Sequence, residues 1–223
     1  MTAARAEAIL YLLMFTAATV TAEEILRIRV SADLEAVPAR YLEEPVSPDR
    51  QTAQRAALEE AALVLGGMIY GWDFQYEVGE RSRDIDERLV LSERGRVAFA
   101  DPRLTVTDAE ADSHKLSVWI DYAPDEAQAR RLAVWKTGDF KPVKGLGTAP
   151  LSAPLEGKRA ALEDAARAAL RAYLRGTERN RPKEARGAIV LVAEPRYWVE
   201  SGRWTASARF RLAVDELVPF AVH

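Results

Sequence analysis

Apolar and polar positions along the chain follow two periods. Leu162, Ala165, Ala166, Ala169, Tyr173 and Leu174 recur at three- and four-residue steps, the spacing that lines one face of a helix, and Gly176 is the expected stop. Trp204, Ala206, Ala208, Phe210, Leu212 and Val214 instead alternate with Thr205, Ser207, Arg209 and Arg211. That alternation predicts a strand with one face on a helix and the other in water. Between the two, residues 188–192 are apolar throughout, as in a strand covered on both faces, and Pro195 marks a bulge or an edge. Glu200-Ser201-Gly202-Arg203 supplies the turn of an antiparallel hairpin.

The earlier part of the chain reads in a similar way, with additions. A helix over residues 52–65 ends at Gly66-Gly67, and residues 68–78 form an aromatic-rich strand with Tyr70, Trp72, Phe74 and Tyr76 on one face. Leu116, Val118, Ile120 and Tyr122 alternate with Lys115, Ser117, Trp119 and Asp121 in a further strand. An opening strand over 25–30 joins one of the sheets, and 126–135 predicts a short helix. The stretch TGDFKPVKGLGTAPLSAP then reads as a connector, since its prolines and glycines suit neither a helix nor a central strand.

Two ordered matches suggest an internal duplication. RAALEEAA from Arg55 is matched by RAALEDAA from Arg159, and Ala100-Asp101-Pro102-Arg103 by Ala193-Glu194-Pro195-Arg196. The expected fold class is therefore α+β: two duplicated helix-plus-antiparallel-sheet units after an N-terminal signal peptide. The segments are 1–22 (signal peptide), 23–123 (first unit, with an extra strand), 124–154 (linker) and 155–223 (second unit).

The signal-peptide reading rests on Arg5, the apolar run over 8–20 and Val20-Thr21-Ala22 before Glu23. That run is shorter than the roughly 20 residues of a membrane-spanning helix, although a retained anchor stays an alternative. Arg outnumbers Lys 25 to 6 and Ala is abundant, which associates with a GC-rich bacterial genome, and the expected location is the periplasm. Over 223 residues, 31 basic against 34 acidic side chains leave a net charge of -3, which argues against general association with nucleic acid. Without cysteine, and with two histidines, the chain has no disulfide, no thiolate nucleophile and no three-histidine metal site.

RAALEDAARAALRAYLRG (159–176), then a strand, a turn and GRWTASARFRLAVD (202–215), resembles the N-terminal module of flagellar assembly protein T and related small outer-membrane lipoproteins of Gram-negative bacteria and spirochaetes. The resemblance implies a non-enzymatic assembly role. This chain departs from it in having no lipidation cysteine and in carrying the additional strand GMIYGWDFQYEV.

Candidate chemistry is sparse. Lys144-Gly145-Leu146-Gly147-Thr148 lacks the spacing of a phosphate loop. Asp108, Glu110, Asp112 and His114 read as a solvated hairpin more readily than as a cation site. No pair among the acids is singled out for glycan hydrolysis. Two surface candidates remain. Trp72 and Tyr76 belong to a face that is either core or, if exposed, a recognition surface. Arg175, Arg179, Arg181, Lys183 and Arg186 form a basic loop suited to an anionic envelope surface or an acidic partner. The leading expectation is a non-catalytic envelope scaffold that binds a protein partner without a cofactor. The alternatives are an anion-binding protein using the basic loop and a carboxylate-dependent hydrolase.

Overall fold

In a computed structural model the described residues are 24–34, 50–79, 84–151, 154–177 and 182–219, so residues 1–22, expected as a signal peptide, and Arg179 and Arg181 lie outside them. Among the described residues, three helices and nine strands in antiparallel sheets make the fold α+β. In chain order the elements are β1 (Leu26–Asp33), α1 (Arg50–Ile69), β2 (Trp72–Glu77), β3 (Arg88–Glu93), β4 (Leu104–Ala111) and β5 (Lys115–Tyr122). They continue with α2 (Glu126–Thr137), β6 (Lys141–Pro150), α3 (Pro154–Thr177), β7 (Glu184–Leu191), β8 (Arg196–Glu200) and β9 (Arg203–Val218).

One sheet has the order β1-β5-β4, and the other has β3-β2-β7-β9-β6 with β8 also paired to β9. In both, the strand before a long helix pairs with the last strand of the hairpin that follows it: β1 with β5 around α1, and β6 with β9 around α3. The inserted β2–β3 hairpin breaks this parallel. It leaves the half in which the sequence places it and extends the second sheet, where Trp72 to Glu77 pair with Ile189 to Glu184 of β7.

Each sheet buries its alternating apolar face beneath a helix. Leu26, Ile28 and Val30 of β1 and Val118, Ile120 and Tyr122 of β5 form one core with Ala57, Ala61, Val64 and Leu65 of α1. The larger core places Ala161, Ala165, Ala169 and Leu170 of α3 on Phe74, Tyr76, Ile189, Ala206, Ala208, Phe210 and Leu212. On the opposite face of that sheet, Trp135 of α2 packs against Ala188 and Val190. Asp125 starts α2 with a capping box: its carboxylate accepts from the Gln128 N–H, and the Gln128 side chain returns to the Asp125 N–H.

Three expectations need correction. First, α1 does not stop at Gly66-Gly67. A side chain on Gly67 would collide with the Trp72 indole, so this glycine permits close packing inside the helix, and the left-handed Gly71 (φ +68°) supplies the C-cap, its N–H returning to the Gly66 carbonyl. Likewise α3 runs through Gly176 to Thr177. Second, the connector is not a linker, because residues 141–150 are strand β6. Proline is tolerated there because β6 is an edge strand, and Gly145 and Gly147 let α3 lie directly on it: a Cβ on either would strike the Ala165 backbone. Third, the strand expected over 68–78 starts only at Trp72.

The hairpin turn expected at 200–203 is present. Ser201 and Gly202 both have positive φ (52° and 70°), the combination that matches the twist of a two-residue hairpin. Pro195 lies in the gap between β7 and β8, where the ladder with β9 is interrupted and resumed.

Candidate functional site

The aromatic face of β2 is core. Trp72 (8% exposed), Phe74 (3%) and Tyr76 (1%) are covered by α3. The Tyr76 hydroxyl donates to Glu87, whose carboxylate accepts a two-pronged contact from Arg171 of α3. Desolvation and this acidic partner push the Tyr76 phenol up to about 12. The recognition-surface alternative for Trp72 and Tyr76 is thereby overturned, because a large aromatic row opposite an Ala-rich helix gains more by burial than by exposure.

The basic loop is only partly a free cationic patch. Arg175 and Lys183 are exposed, but Arg186 is ion-paired with Glu184 at 2.5 Å and with Glu216 at 3.5 Å. The acidic run behaves as a hairpin: Asp112 accepts from the backbone N–H groups of His114 and Lys115, both at 2.7 Å, which lowers its pKa. Among the described residues no group of three His, Asp or Glu side chains is placed to hold a metal ion.

Two polar clusters that sequence reasoning missed hold the elements together. Lys158 of α3, 5% exposed, donates to Glu60 of α1 at 2.5 Å and to the Ser31 carbonyl of β1 at 2.6 Å. Its ammonium also lies 5.6 Å from the Tyr197 ring and 5.5 Å from the Trp204 ring. Burial pushes the Glu60 carboxyl up while Lys158 opposes the rise, and burial also raises the Tyr197 phenol. The second cluster involves the ADPR tetrapeptide. Arg103 grips Asp101 in a bidentate pair (3.0 and 2.8 Å) and reaches Asp125 (2.9 Å) and Gln128 (3.1 Å), while Gln128 also meets Tyr122 and Tyr70. The arginine holds Asp101 down at about 2.

A cleft of about 440 Å³ separates α1 from the start of α3, lined by Leu63, Gly67, Trp72, Glu93, Phe99 and Arg159 among others. Its carboxylates sit beside guanidinium groups: Glu59 with Arg55, and Glu93 with Arg96 and Arg159.

The exposed surface with the clearest chemical character is the outward face of β8, β9 and β6, the part of the large sheet away from α3. The registers Trp198↔Thr205↔Thr148 and Arg196↔Ser207↔Leu146 define two rows across the three strands, and Arg209↔Lys144 extends them. Val192, just past the end of β7, bonds by its N–H to the Arg209 carbonyl at 3.0 Å. Leu146 (58% exposed), Val192 (40%) and Trp198 (38%) stand on or beside this face. Lys144, Arg196, Arg203 and Arg209 surround them, and none of these four forms an ion pair among the described residues. Glu200 of β8 accepts from the Trp198 indole N–H at 3.1 Å, and Asp215 stands farther along β9, beside Ala213 and α2. The outward orientation of Arg209 follows from the β9 alternation alone. Leu146 and Lys144 were hidden by the connector reading of β6, and Trp198 by the shortness of β8.

Fold and surface together define an antiparallel α+β protein that presents an open cationic sheet face. A family model matches residues 14–220, nearly the whole chain, and the chain belongs to that family. It is also similar to an uncharacterized protein of the spirochaete Treponema pallidum (strain Nichols), with 26% identity over 187 residues, 84% of this chain and 77% of the relative. No solved structure matches. Neither match bears on the resemblance to flagellar assembly protein T.

Proposed function

We propose that the protein is a non-catalytic interaction module of the bacterial envelope that works through the outward face of β8, β9 and β6. One observation carries this reading. In a chain of net charge -3, four cations that form no ion pair among the described residues stand with exposed Leu146, Val192 and Trp198 on a single sheet face. Ordinary surface design pairs or disperses such groups, so their concentration marks a contact surface. An origin by duplication, supported by the shared pairing of β1 with β5 and β6 with β9, and an assembly role of the kind implied by the flagellar resemblance, complete the reading.

The test is site-specific photocrosslinking in cells. A photoreactive residue at position 146 is expected to give discrete adducts, and the same residue at Val106 on the exposed strand β4 none. Equal labelling from both positions would remove the face from consideration, and fractionation of the same cells checks the envelope location.

A further inference from the structure

The shape and charge layout of this face also bear on what covers it. Protein interfaces place apolar groups at the centre and charges at the rim, because an unpaired cation buried against a partner loses its hydration. Here the two are interspersed: Arg209 lies on the middle strand β9, and Lys144 and Arg196 share the flanking strands β6 and β8 with Leu146 and Trp198, so cations are not confined to a rim. Leu146, Trp198, Lys144, Arg196 and Arg209 are all exposed.

A lipid headgroup layer fits such a face. Phosphates accept from lysine and arginine while those cations stay hydrated, and a tryptophan and a leucine between them reach the boundary with the acyl chains. Trp198 is the indole on this face: Trp72, Trp135 and Trp204 are buried, and Trp119 is half-buried under Arg29 on the other sheet. Resting on the reading of this face as the contact surface, we infer that its occupant is an anionic phospholipid bilayer, engaged through Lys144, Arg196, Arg203 and Arg209 with Trp198 and Leu146 inserted at the interface.

Vesicle co-sedimentation of the full-length chain tests the inference. Phosphatidylcholine vesicles are compared with vesicles carrying about 30% phosphatidylglycerol. All variants keep the apolar N-terminal run, so its contribution is common to every arm, and the neutral vesicles measure it. The expected result is stronger binding to the anionic vesicles, weakened by salt. Lys144→Gln with Arg209→Gln should lower anionic-vesicle partitioning about 25-fold, roughly fivefold per cation removed. Trp198→Ala should lower it too and should abolish the quenching of indole emission by brominated acyl chains. All substituted positions are exposed, so the variants are expected to keep the parent's circular dichroism and melting curve.

Equal binding to both vesicle types, or unchanged binding by the double variant, overturns the lipid inference. A dimer in sedimentation velocity that Leu146→Glu dissolves would also overturn it, assigning the face to a second copy. If photocrosslinking from position 146 gives a protein adduct while anionic vesicles are ignored, the lipid inference falls and the interaction-module reading stands. Absence of both adducts and vesicle binding ends both.

Discussion

The two sheets solve the problem of a two-faced surface differently. In the three-stranded sheet α1 covers β1 and β5 and stops there, so β4 stands in solvent along nearly its whole length, with Asp108 and Glu110 on it and Asp112 at its turn. In the larger sheet α3 lies on β6 and β9 and shares its core with β2 and β7, and α2 covers part of the other face, leaving the β8-β9-β6 region open along with outward positions of β2 and β3. The open β4 is acidic and the open β8-β9-β6 region basic, although both halves pair their strands in the same order. Equivalent pairing therefore says little about surface role, which is set by what the helices leave uncovered and by the charges placed there.

The largest expected effect comes from breaking the link between the halves. Lys158→Met leaves Glu60 of α1 buried without its hydrogen-bonded cation and is expected to cost about 3–5 kcal/mol in chemical denaturation. The double variant with Glu60→Leu should recover most of that loss, and a double variant as unstable as the single one would show that the pair matters through packing and not charge. Trp72→Ala should cost a similar amount, about 3–5 kcal/mol, because the indole fills the space between Gly67 and the second sheet. Its thermal melt would distinguish this from the near-zero loss of a surface aromatic.

Gly147→Ala separates the halves more finely. Its new methyl must push α3 off β6, at about 1–3 kcal/mol, and amide exchange should quicken in β6 and α3 while β1 and β5 keep their protection. Exchange rising equally in both sheets would mean that they open as one unit.

Asp101 reports on the first half alone. Its pKa is held at about 2, below the usual 3.8, so its pairing with Arg103 contributes stability that is present above about pH 4 and lost as the pH falls toward 2. Water screens the pair, so the contribution is on the order of 1 kcal/mol, and Asp101→Asn should remove that part of the acid sensitivity. Smallest of all, Val106→Thr on β4 should shift stability by less than about 0.5 kcal/mol, and a larger loss would show that β4 is covered in solution.

Helices and strands with a clean period were legible in the residues themselves. The alternation from Trp204 to Leu212 and the helical face from Leu162 to Leu174 describe β9 and α3 because burial of one face dictates both patterns. Gly145 and Gly147 misled because glycine signals a loop by conformational freedom, while here it serves as an absence of side chain beneath a helix, a demand visible only once α3 is in place. The candidate site was misjudged for a related reason. Aromatic residues at period two fit a buried and an exposed face equally well, and the destination of β2 depends on its pairing with β7, more than a hundred residues later. Lys158 gave no signal, since a lysine near a helix start looks like any surface lysine until Glu60 is seen opposite it.

That pairing of β2 with β7 also governs the order of events during synthesis. Until residues 154–177 and then 184–191 emerge, the strands β2 and β3 lack first α3, the helix over Trp72, Phe74 and Tyr76, and then β7, their neighbouring strand. A nascent chain halted near residue 150 would therefore display a sticky aromatic ribbon beside an already formable first sheet. For a protein expected to be exported, that interval is where a holding chaperone would find its grip, and premature termination within it would yield an aggregating fragment instead of a stable half-molecule.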